Sequence, residues 1–497
     1  MSEVCGILSQ IMTQKVQHMQ LPEKHKNVGR ISMTFTNLQV AQITPPRIQI
    51  RPSPYTPHQV TASMQVDQLV IYGEVVSSMR LLDDRVFYVT LSNVEINIDV
   101  ALAKMPSGQM HAEITGCNFY LGDVSVQTKH FNKNRFTYSG IAERKLRSEL
   151  EDGMCNQITQ KGNRVLNTIL EKYPTKVRLS DFVPAKHRSK FRVKNYSNGN
   201  VAGSSDALEI FGKDLSALRN IMLDTSLVSD PKVVSADSLE FDIRGNVLWM
   251  GRSPAPFYPP PIRTTSKPSD SSMLVIYASE SVPNALLYQL HQHGIFNMRI
   301  DKDSKSELSS LLRKNCRGWF CINSFLPQFR TMYPSEMPVI YLRTRSPPLI
   351  HIDPRMVTIE IEAHLSLNAE SPRSRSASVE VLSMDIKAIA SLVPQIQGNR
   401  LKAKVLSATL KTSTERNTLK VDPNKVEVLA DIIRKAFEDG VQSIAKNGVQ
   451  LPQSPLFDIR SGRVYLHDRA IEFDLAPKFN EKFLMDKLKN LFGGLIS

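Results

Sequence analysis

GIAERKLRSELEDGMCNQITQKGNRVLNTILEK, residues 140–172, is the stretch that decides the fold, because it carries apolar side chains along one face of a helix. They recur mostly at four-residue intervals, as in an amphipathic helix, and are Ile141, Leu146, Leu150, Met154, Ile158, Val165 and Ile169. Pro174 then ends the pattern, since proline cannot continue a helix. At about 1.5 Å per residue such a helix is about 45 Å long. That length exceeds what an ordinary globular core needs and predicts a long curled sheet around the helix.

Strands with one apolar and one polar face are predicted before this helix. After an amphipathic helix at residues 3–17, apolar and polar side chains alternate at 30–35, 59–66 and 94–102. The apolar set of the last segment is Val94, Ile96, Ile98, Val100 and Leu102. Alternation repeated over several segments is typical of a largely antiparallel sheet with one buried face.

The second half of the chain repeats this order. A short helix at residues 283–293, N-capped by Ser281 and closed by Gly294, precedes a strand that alternates over 357–367. A long amphipathic helix follows over 423–446, and further alternating segments complete the chain. The apolar face of that helix contains Val426, Leu429, Ile433, Phe437, Val441 and Ile444. Helix, strands, long helix and strand thus occur twice, which predicts two similar halves.

A proline-rich segment separates the halves. RSPAPFYPPPIRTTSKPSDSS, residues 252–272, holds six prolines, and so many favour an extended, semi-rigid spacer. A ligand for an SH3-type groove is the alternative interpretation. Because 497 residues are too many for one hydrophobic core, we predict an N-terminal domain at 1–225, a central strand and linker at 226–272, and a C-terminal domain at 273–497.

The composition is that of a folded protein with a basic surface. The chain is 41% hydrophobic and 22% charged, with a formal net charge of +14. This charge favours anionic partners such as phospholipid surfaces, lipopolysaccharide or nucleic acid. Ten basic residues lie between Lys161 and Lys194 against only Glu171 and Asp181. The run is either a solvated face or a patch that docks on anionic head groups, and no nucleic-acid-binding motif accompanies it.

The cysteines and the N-terminus give conflicting signals about the compartment. Cysteine spacings match no zinc motif, so disulfides in an oxidising compartment are the better interpretation. A sequon at Asn195 also favours secretion. However, Glu3 stands where a signal peptide has basic residues, and no apolar region follows it. The cysteines are Cys5, Cys117, Cys155, Cys316 and Cys321.

Catalytic signatures are absent from the sequence. It contains no G-x-S-x-G elbow, P-loop, dinucleotide fingerprint or H-E-x-x-H motif. His291 and His293 form an H-x-H pair without a third ligand in view, so we interpret them as polar residues at a helix end. We therefore predict no enzyme, no catalytic residue, no metal and no cofactor.

Three segments carry a family resemblance that covers nearly the whole chain. GNVLWMGRSPAPFYPPP (245–261) and MLVIYASESVPNALLYQLHQHG (273–294) resemble a proline-rich connector followed by a strand and a short helix. The segment from 426 to 479 resembles the closing helix and strands of the same family. That family comprises bactericidal/permeability-increasing protein, lipopolysaccharide-binding protein, phospholipid transfer protein and cholesteryl ester transfer protein.

The resemblance implies an α+β fold and a lipid-binding function. The expected molecule is an elongated boomerang of two similar barrels, each a twisted antiparallel sheet wrapped on a long amphipathic helix, joined by a central sheet and the linker. It also implies a disulfide between Cys117 and Cys155. Each barrel would hold a phospholipid or neutral lipid. At about 0.8 kcal/mol per buried CH₂, an acyl chain of about 16 carbons gains on the order of 12 kcal/mol over water.

The sequence departs from the family pattern in several places. It begins inside the expected first helix, without an opening strand, which suggests a truncated or alternative start. At the expected tip, residues 77–87, Arg80 and Arg85 are offset by Asp83 and Asp84, which argues against lipopolysaccharide binding. A Cys316–Cys321 disulfide would be additional to the family pattern, and whether these two pair stays open. The amphipathic tail from residue 480 onward is either a lid over a pocket mouth or a segment packed on the body.

The predicted lipid-binding residues lie on the apolar faces of both halves. In the first half they are Val94, Ile96 and Ile98 with Leu146, Leu150, Met154 and Ile158. In the second half they are Leu286, Leu290, Ile359, Ile361, Ile433 and Phe437. Ordinary core packing is the alternative for each one taken singly.

Three functions follow from these expectations. The leading hypothesis is a secreted carrier that transfers phospholipid or other hydrophobic lipids between membranes or lipid particles. The second is an innate-immune protein that binds bacterial lipopolysaccharide and has antimicrobial activity. The third, drawn from the missing signal peptide, is an intracellular scaffold without bound lipid. The carrier hypothesis requires a hollow interior in each half.

Overall fold

The chain folds into two compact units. Unit 1 comprises residues 1–175, 225–244 and 479–497, and unit 2 comprises 176–224 and 245–478. The computed structural model describes the chain except for residues 1, 18, 22, 29–30, 54, 78–84, 129–135, 183–218, 236–237, 260–261, 263–272, 305–308, 310–311, 313–321, 323–325, 373, 452–456, 481 and 484–497. Among the described residues, no helix is both long and apolar enough to cross a membrane.

The described part of unit 1 is a long antiparallel sheet with the helices α1 and α2. Its described strands pair in the order β1-β2-β4-β5-β6, and β3 pairs with β4. Residues 225–244 add a small hairpin of β9 and β10. The helices are α1 (Ser2–Val16) and α2 (Phe136–Leu170), the second being about 52 Å long. The strands are β1 (Lys24–Val28), β2 (Ile31–Ile43), β3 (Arg47–Pro52), β4 (Gln59–Ser77), β5 (Arg85–Lys104), β6 (Met110–Thr128), β9 (Lys232–Ser235) and β10 (Ser238–Glu240).

A line of bends crosses the sheet of unit 1 and changes which residues face inward. On β5 the inward side chains are first odd-numbered and then even-numbered, namely Phe87, Val89 and Leu91, then Val94 and Ile96. The change occurs at Asn93, whose φ of 53° lies in the left-handed region. Gly122 stands beside it on β6, where a Cβ atom would lie 2.8 Å from the Asn93 Cβ atom. The sheet therefore curls at this line while keeping apolar side chains inside.

The described residues of unit 2 form three antiparallel sheets. The largest has the order β14-β15-β17-β18-β19-β20, with β16 paired to β17; the others are β12-β11-β8-β7 and β13-β22-β21. The strands of the largest are β14 (Met298–Ile300), β15 (Met337–Thr344), β16 (Leu349–Ile352), β17 (Val357–Ser371), β18 (Ser374–Gln397), β19 (Arg400–Asn417) and β20 (Val449–Gln450). The other strands are β7 (Lys176–Arg178), β8 (Ile221–Asp224), β11 (Asn246–Trp249), β12 (Arg252–Pro254), β13 (Leu274–Ser279), β21 (Phe457–His467) and β22 (Ala470–Phe479).

The helices of unit 2 are α3 (Ser281–Gln292), α4 (Pro327–Met332) and α5 (Pro423–Asn447), with a 3₁₀ turn at Leu179–Phe182. Helix α5 has clear end signals. The Asp422 side chain accepts a hydrogen bond from the Asn424 backbone at 2.8 Å, and Pro423 occupies the first turn, where proline is tolerated. Gly448, at φ 65°, ends the helix.

The predicted fold class is confirmed: each unit combines a curled antiparallel sheet with one long helix. One detail was wrong. Ser281 is the first residue of α3 rather than its cap, because Glu280 precedes the helix and the Ser281 hydroxyl donates to the Ser279 hydroxyl instead. The predicted domain boundaries stay predictions.

Several sequence features lie outside the described residues. They are the sequon at Asn195, the centre of the tip segment at 78–84, both Cys316 and Cys321, the basic run beyond residue 182 and the tail from 484.

Candidate functional site

The interior of unit 1 is lined by aliphatic and aromatic side chains from the long strands. Val94 and Ile96 are each 6% exposed, and Ile98 is half-buried on the same face. Leu150 of α2 packs against the cluster formed by Val66, Phe87 and their neighbours. Met154 and Ile158 are half-buried, and the Leu146 side chain lies outside the described part of the structure. The structure therefore brings Val94 and Leu150 into one apolar cluster.

Polar side chains of α2 bind the edge of the sheet in unit 1. The Asn167 amide accepts from the Ala112 backbone N–H at 3.1 Å and donates to the Ala112 carbonyl at 2.8 Å. Asn163 accepts from the Ile114 backbone at 2.7 Å. These bonds satisfy groups of β6 that would otherwise face an open edge.

The same contact line continues toward the start of α2. Arg147 donates to the Leu121 carbonyl at 2.7 Å and to the Gly122 carbonyl, and Glu143 accepts from the Val126 backbone at 3.2 Å. The Cys117–Cys155 disulfide, with Cα atoms 5.6 Å apart, lies between these two groups of bonds and confirms the pairing that the resemblance implied. We call these hydrogen bonds the polar seam; the residues of α2 that form them are Glu143, Arg147, Asn163 and Asn167, with Cys155 of the disulfide between them. It fixes α2 along β6 independently of what fills the interior.

Unit 2 contains a small cavity between α5 and the largest sheet. Its volume is about 30 Å³, and every lining side chain is leucine or isoleucine. Three come from helix α5, namely Leu429, Ile432 and Ile433. The others are Leu312, Ile322, Leu326, Ile340, Leu365, Leu367 and Leu382. A space of this size admits about one water molecule, and an apolar lining gives water no partner. It is therefore a dry gap in an aliphatic interior.

Five of the six residues predicted in the second half fall into two separate clusters. Ile433 is buried in the main cluster of unit 2, with Phe437 and Ile361 packed against it. Leu286 and Leu290 of α3 instead pack around Ile221, Val247 and Ala285. Ile359 is half-buried on β17. The structure thus brings Ile361, Ile433 and Phe437 together and places the two α3 leucines in a different core.

Sequence reasoning missed most of the residues around the cavity. Leu365 and Leu367 lie in the alternating strand predicted at 357–367, and Leu429 and Ile432 lie in the helix predicted at 423–446. Their periodicity could therefore have identified them. Leu312, Ile322 and Leu326 come from a connecting segment without regular spacing. No pattern in the sequence marks those three.

The H-x-H pair forms no metal centre in the described structure. His291 Nδ1 lies 2.7 Å from the Thr344 hydroxyl, and burial lowers the pKa of His291. The His293 ring stacks on Trp249 with ring centroids 3.5 Å apart. Among the described residues, no group of three or more His, Cys, Asp or Glu side chains could hold a metal ion.

Comparison with curated proteins finds relatives of this chain. A 195-residue stretch is 24% identical to bactericidal permeability-increasing protein of Sebastes schlegelii, covering 38% of this chain and 40% of that protein. A 312-residue stretch is 23% identical to lipopolysaccharide-binding protein of Mus musculus, covering 62% of this chain and 55% of that protein. The chain thus spans about half the length of these curated relatives.

A solved structure is also similar. The crystal structure of lipopolysaccharide binding protein aligns over 96% of this chain and 96% of that chain, with 16% identity and a TM-score of 0.47.

Models of one protein family match both the N-terminal and the C-terminal parts of the chain. The model of the LBP / BPI / CETP family N-terminal domain matches residues 3–172, and that of its C-terminal domain matches 217–476. Together they cover most of the sequence. The chain therefore belongs to the LBP / BPI / CETP family, whose members are lipid-binding proteins and not enzymes.

Proposed function

We propose that this protein is a lipid carrier. It would bind phospholipid or another hydrophobic lipid in the apolar interior of each unit and transfer it between membranes or lipid particles. The observation that carries the proposal is the cavity beneath α5, whose lining is entirely leucine and isoleucine. An interior without polar atoms can solvate hydrocarbon but offers nothing to a polar substrate.

The carrier hypothesis requires a hollow interior, and the cavity in unit 2 is far smaller than a lipid needs, so loading requires a rearrangement. Pockets for drug-sized ligands are about 300–1,000 Å³, whereas this one is about 30 Å³. An acyl chain would therefore have to separate α5 from β17 and β18. Burial of each CH₂ group contributes about 0.8 kcal/mol, so a long chain can offset the loss of some packing between the helix and the sheet.

Filling the cavity tests the proposal. Ile432→Trp adds bulk on the cavity side of α5 and should lower the amount of lipid bound by unit 2 severalfold. Native mass spectrometry of the full-length protein after incubation with phosphatidylcholine vesicles would count the lipids bound. Val428→Trp is the matched control, because Val428 lies one turn away on the same helix and is 48% exposed. Equal lipid loading in Ile432→Trp and the unchanged protein would contradict the proposal for unit 2.

Lipopolysaccharide is the second candidate ligand. The observation in its favour is the pair of curated relatives named for bacterial permeability and for lipopolysaccharide. The offset of Arg80 and Arg85 by Asp83 and Asp84 argues against it, since lipid A is anionic. Titration with labelled lipid A, beside a phospholipid exchange assay, separates the two functions. Tight lipid A binding with little phospholipid exchange would favour the immune role.

An extracellular location accompanies this proposal. The disulfide between Cys117 and Cys155 supports it, because such bonds persist mainly in oxidising compartments. Lipid surfaces and particles are the expected partners, and the bound lipid is cargo rather than a cofactor. Fractionation of expressing cells, with thiol labelling of the protein under denaturing conditions, would test both points.

A further inference from the structure

The outer half of the β18–β19 hairpin in unit 2 is basic and free of carboxylates. Residues 386–414 contain Lys387, Arg400, Lys402, Lys404 and Lys411 and no Asp or Glu. A stretch this long with cations only is unusual in a chain with 48 acidic residues. The lysines also share one face of the sheet, as the register of the two strands shows.

The register places the lysines on the face that points away from the apolar interior. Lys402 lies opposite Gln395, Lys404 opposite Val393, and Lys411 opposite Lys387. The alternate residues of β18, among them Met384, Ile386 and Ala388, belong to the buried cluster. Lys387, Lys402, Lys404 and Lys411 therefore form one row on the outer face, which we call the basic row. It is about 30 Å long.

Most of this charge is not neutralised locally. Lys387 has Glu362 of β17 at 3.5 Å. Among the described residues, no carboxylate lies within ion-pair distance of Lys402, Lys404 or Lys411. Lys387 and Lys411 are also direct cross-strand neighbours, an arrangement that repels and destabilises the sheet. An anionic partner would relieve this repulsion.

Apolar side chains accompany the basic row. Leu406, the extra residue of a β-bulge two positions after Lys404, is 51% exposed. Ile389 and Val393 lie half-buried on the outer face. Leu349 of β16 is 36% exposed. It pairs across the sheet with Glu360 of β17, and Glu360 pairs with Ile389 of β18. Glu360 and Glu362 stand on β17, on the far side of β18 from Lys402 and Lys404.

We propose that this face of unit 2, formed by the basic row with Leu406, docks on an anionic phospholipid bilayer. Cations near an exposed apolar side chain fit the interface of such a bilayer, where the lysines meet head groups and the leucine enters the acyl boundary. A nucleic acid duplex fits less well, because it carries one phosphate about every 1.7 Å along its axis, whereas the three lysines without a carboxylate partner among the described residues are spread over about 30 Å. The docking requires no bound cargo and so extends the proposed carrier function without depending on it.

Vesicle binding by the full-length protein tests this surface. Each cation near an anionic membrane contributes about fivefold to affinity, so Lys402→Ser with Lys404→Ser should weaken binding to phosphatidylcholine vesicles containing phosphatidylserine about 25-fold. Leu406→Ser should weaken it about tenfold, since one leucine side chain no longer enters the bilayer. The matched control is Lys302→Ser with Lys425→Ser, which removes the same charge elsewhere in unit 2.

The outcomes separate the alternatives. Unchanged binding in the Lys402/Lys404 variant, or an equal loss in the control variant, would overturn the proposal. A second result would also overturn it: the Lys402/Lys404 variant loses vesicle binding, Leu406→Ser does not, and soluble heparin competes fully with the vesicles. The face would then recognise a polyanion rather than a bilayer. Lipid counts from native mass spectrometry should stay unchanged in all these variants, so failure of docking and failure of cargo binding give different results.

Discussion

Helix α2 of unit 1 and helix α5 of unit 2 each run along the last long strand of a curled sheet, but different forces hold them. Helix α2 is joined to β6 by the polar seam and a disulfide. Helix α5 is held by its apolar face: Ala430 and Ile433 are buried against the sheet, with Leu429 and Phe437 beside them. Its described polar contact to the middle of β19 is one bond from Arg434 to the Leu410 carbonyl, at 3.4 Å.

This difference bears on how each unit could take up a lipid. In unit 2, Leu429 and Ile433 both hold the helix and line the cavity, so a ligand competes with the packing of α5. In unit 1 the polar seam holds the helix at its side, and the interior contacts can change while the seam remains. We expect loading of unit 1 to disturb its stability less than loading of unit 2.

Removing the disulfide should have the largest effect on unit 1. Cys117→Ser with Cys155→Ser releases a cross-link that closes a loop of 38 residues, worth about 4 kcal/mol of unfolding free energy in the chain-entropy model. Urea unfolding followed by circular dichroism should show an early transition in this variant. Of the two tryptophans of the chain, Trp249 is described by the structure and lies in unit 2, and position 319 falls within the sequence range of the same unit.

Tryptophan fluorescence therefore provides an internal control for that experiment. The fluorescence transition reports on unit 2 and should stay at the urea concentration of the unchanged protein. A fluorescence shift as large as the shift in circular dichroism would mean that the two units unfold as one, and the comparison between their helices could not be made by unfolding.

Truncating the apolar face of α5 should have the next largest effect, and it should fall on unit 2. Ile433 is 7% exposed within the main cluster, so Ile433→Ala should lower the unfolding free energy of unit 2 by about 3 kcal/mol through lost burial and an enlarged cavity. The fluorescence transition in urea measures this directly. Val428→Ala, at an exposed position of the same helix, should change it by less than about 0.5 kcal/mol.

The sequence predicts the apolar contacts that hold α5 but not the polar contacts that hold α2. The stripe containing Leu429, Ile433 and Phe437 identifies α5 and its buried face. For α2 the apolar stripe predicts the helix, but Arg147, Asn163 and Asn167 are not part of that stripe and the sequence analysis assigned them no contact. Their positions, with Glu143 and Cys155, differ by multiples of four, and this regular spacing is the signal that could have marked a contact line.

The curl of the sheets was predictable only in outline. A strand of strict alternation would put Phe87 and Val94 on opposite faces, yet both are buried. The left-handed conformation of Asn93 reverses the alternation, and the close approach of Gly122 makes room for it. Asn and Gly are the residues that adopt or permit such a bend, but their presence alone does not place it. Likewise, Leu312 and Ile322 reach the cavity through tertiary packing that local pattern does not encode.

The polar seam itself can be opened without touching the disulfide. Asn167→Ala leaves both the N–H and the carbonyl of Ala112 without their partner, and Ala112 is 2% exposed. Unpaired buried backbone groups of this kind cost about 1–3 kcal/mol, so unit 1 should lose about 2 kcal/mol, with the fluorescence transition of unit 2 unchanged. Thr168→Ala, one residue further on the exposed side of α2, is the control. Alanine favours a helix more than either threonine or asparagine does, so a loss of equal size in Thr168→Ala would mean that the bonds of Asn167 to Ala112 have no special role.

A matched pair of arginines gives the smallest and most specific test. Arg147 of α2 donates to the carbonyls of Leu121, which is 0% exposed, and Gly122. Arg434 of α5 reaches Leu410 only at 3.4 Å and otherwise pairs with the exposed carboxylates of Asp431 and Glu427.

Arg→Met keeps most of the aliphatic stem and removes the donors. Arg147→Met should therefore cost unit 1 about 1 kcal/mol, whereas Arg434→Met should leave unit 2 within about 0.5 kcal/mol of the unchanged protein, because exposed ion pairs contribute little. Equal losses at the two sites would mean that the polar contacts of α2 do no more than those of α5, and that the disulfide alone distinguishes how the two helices are held.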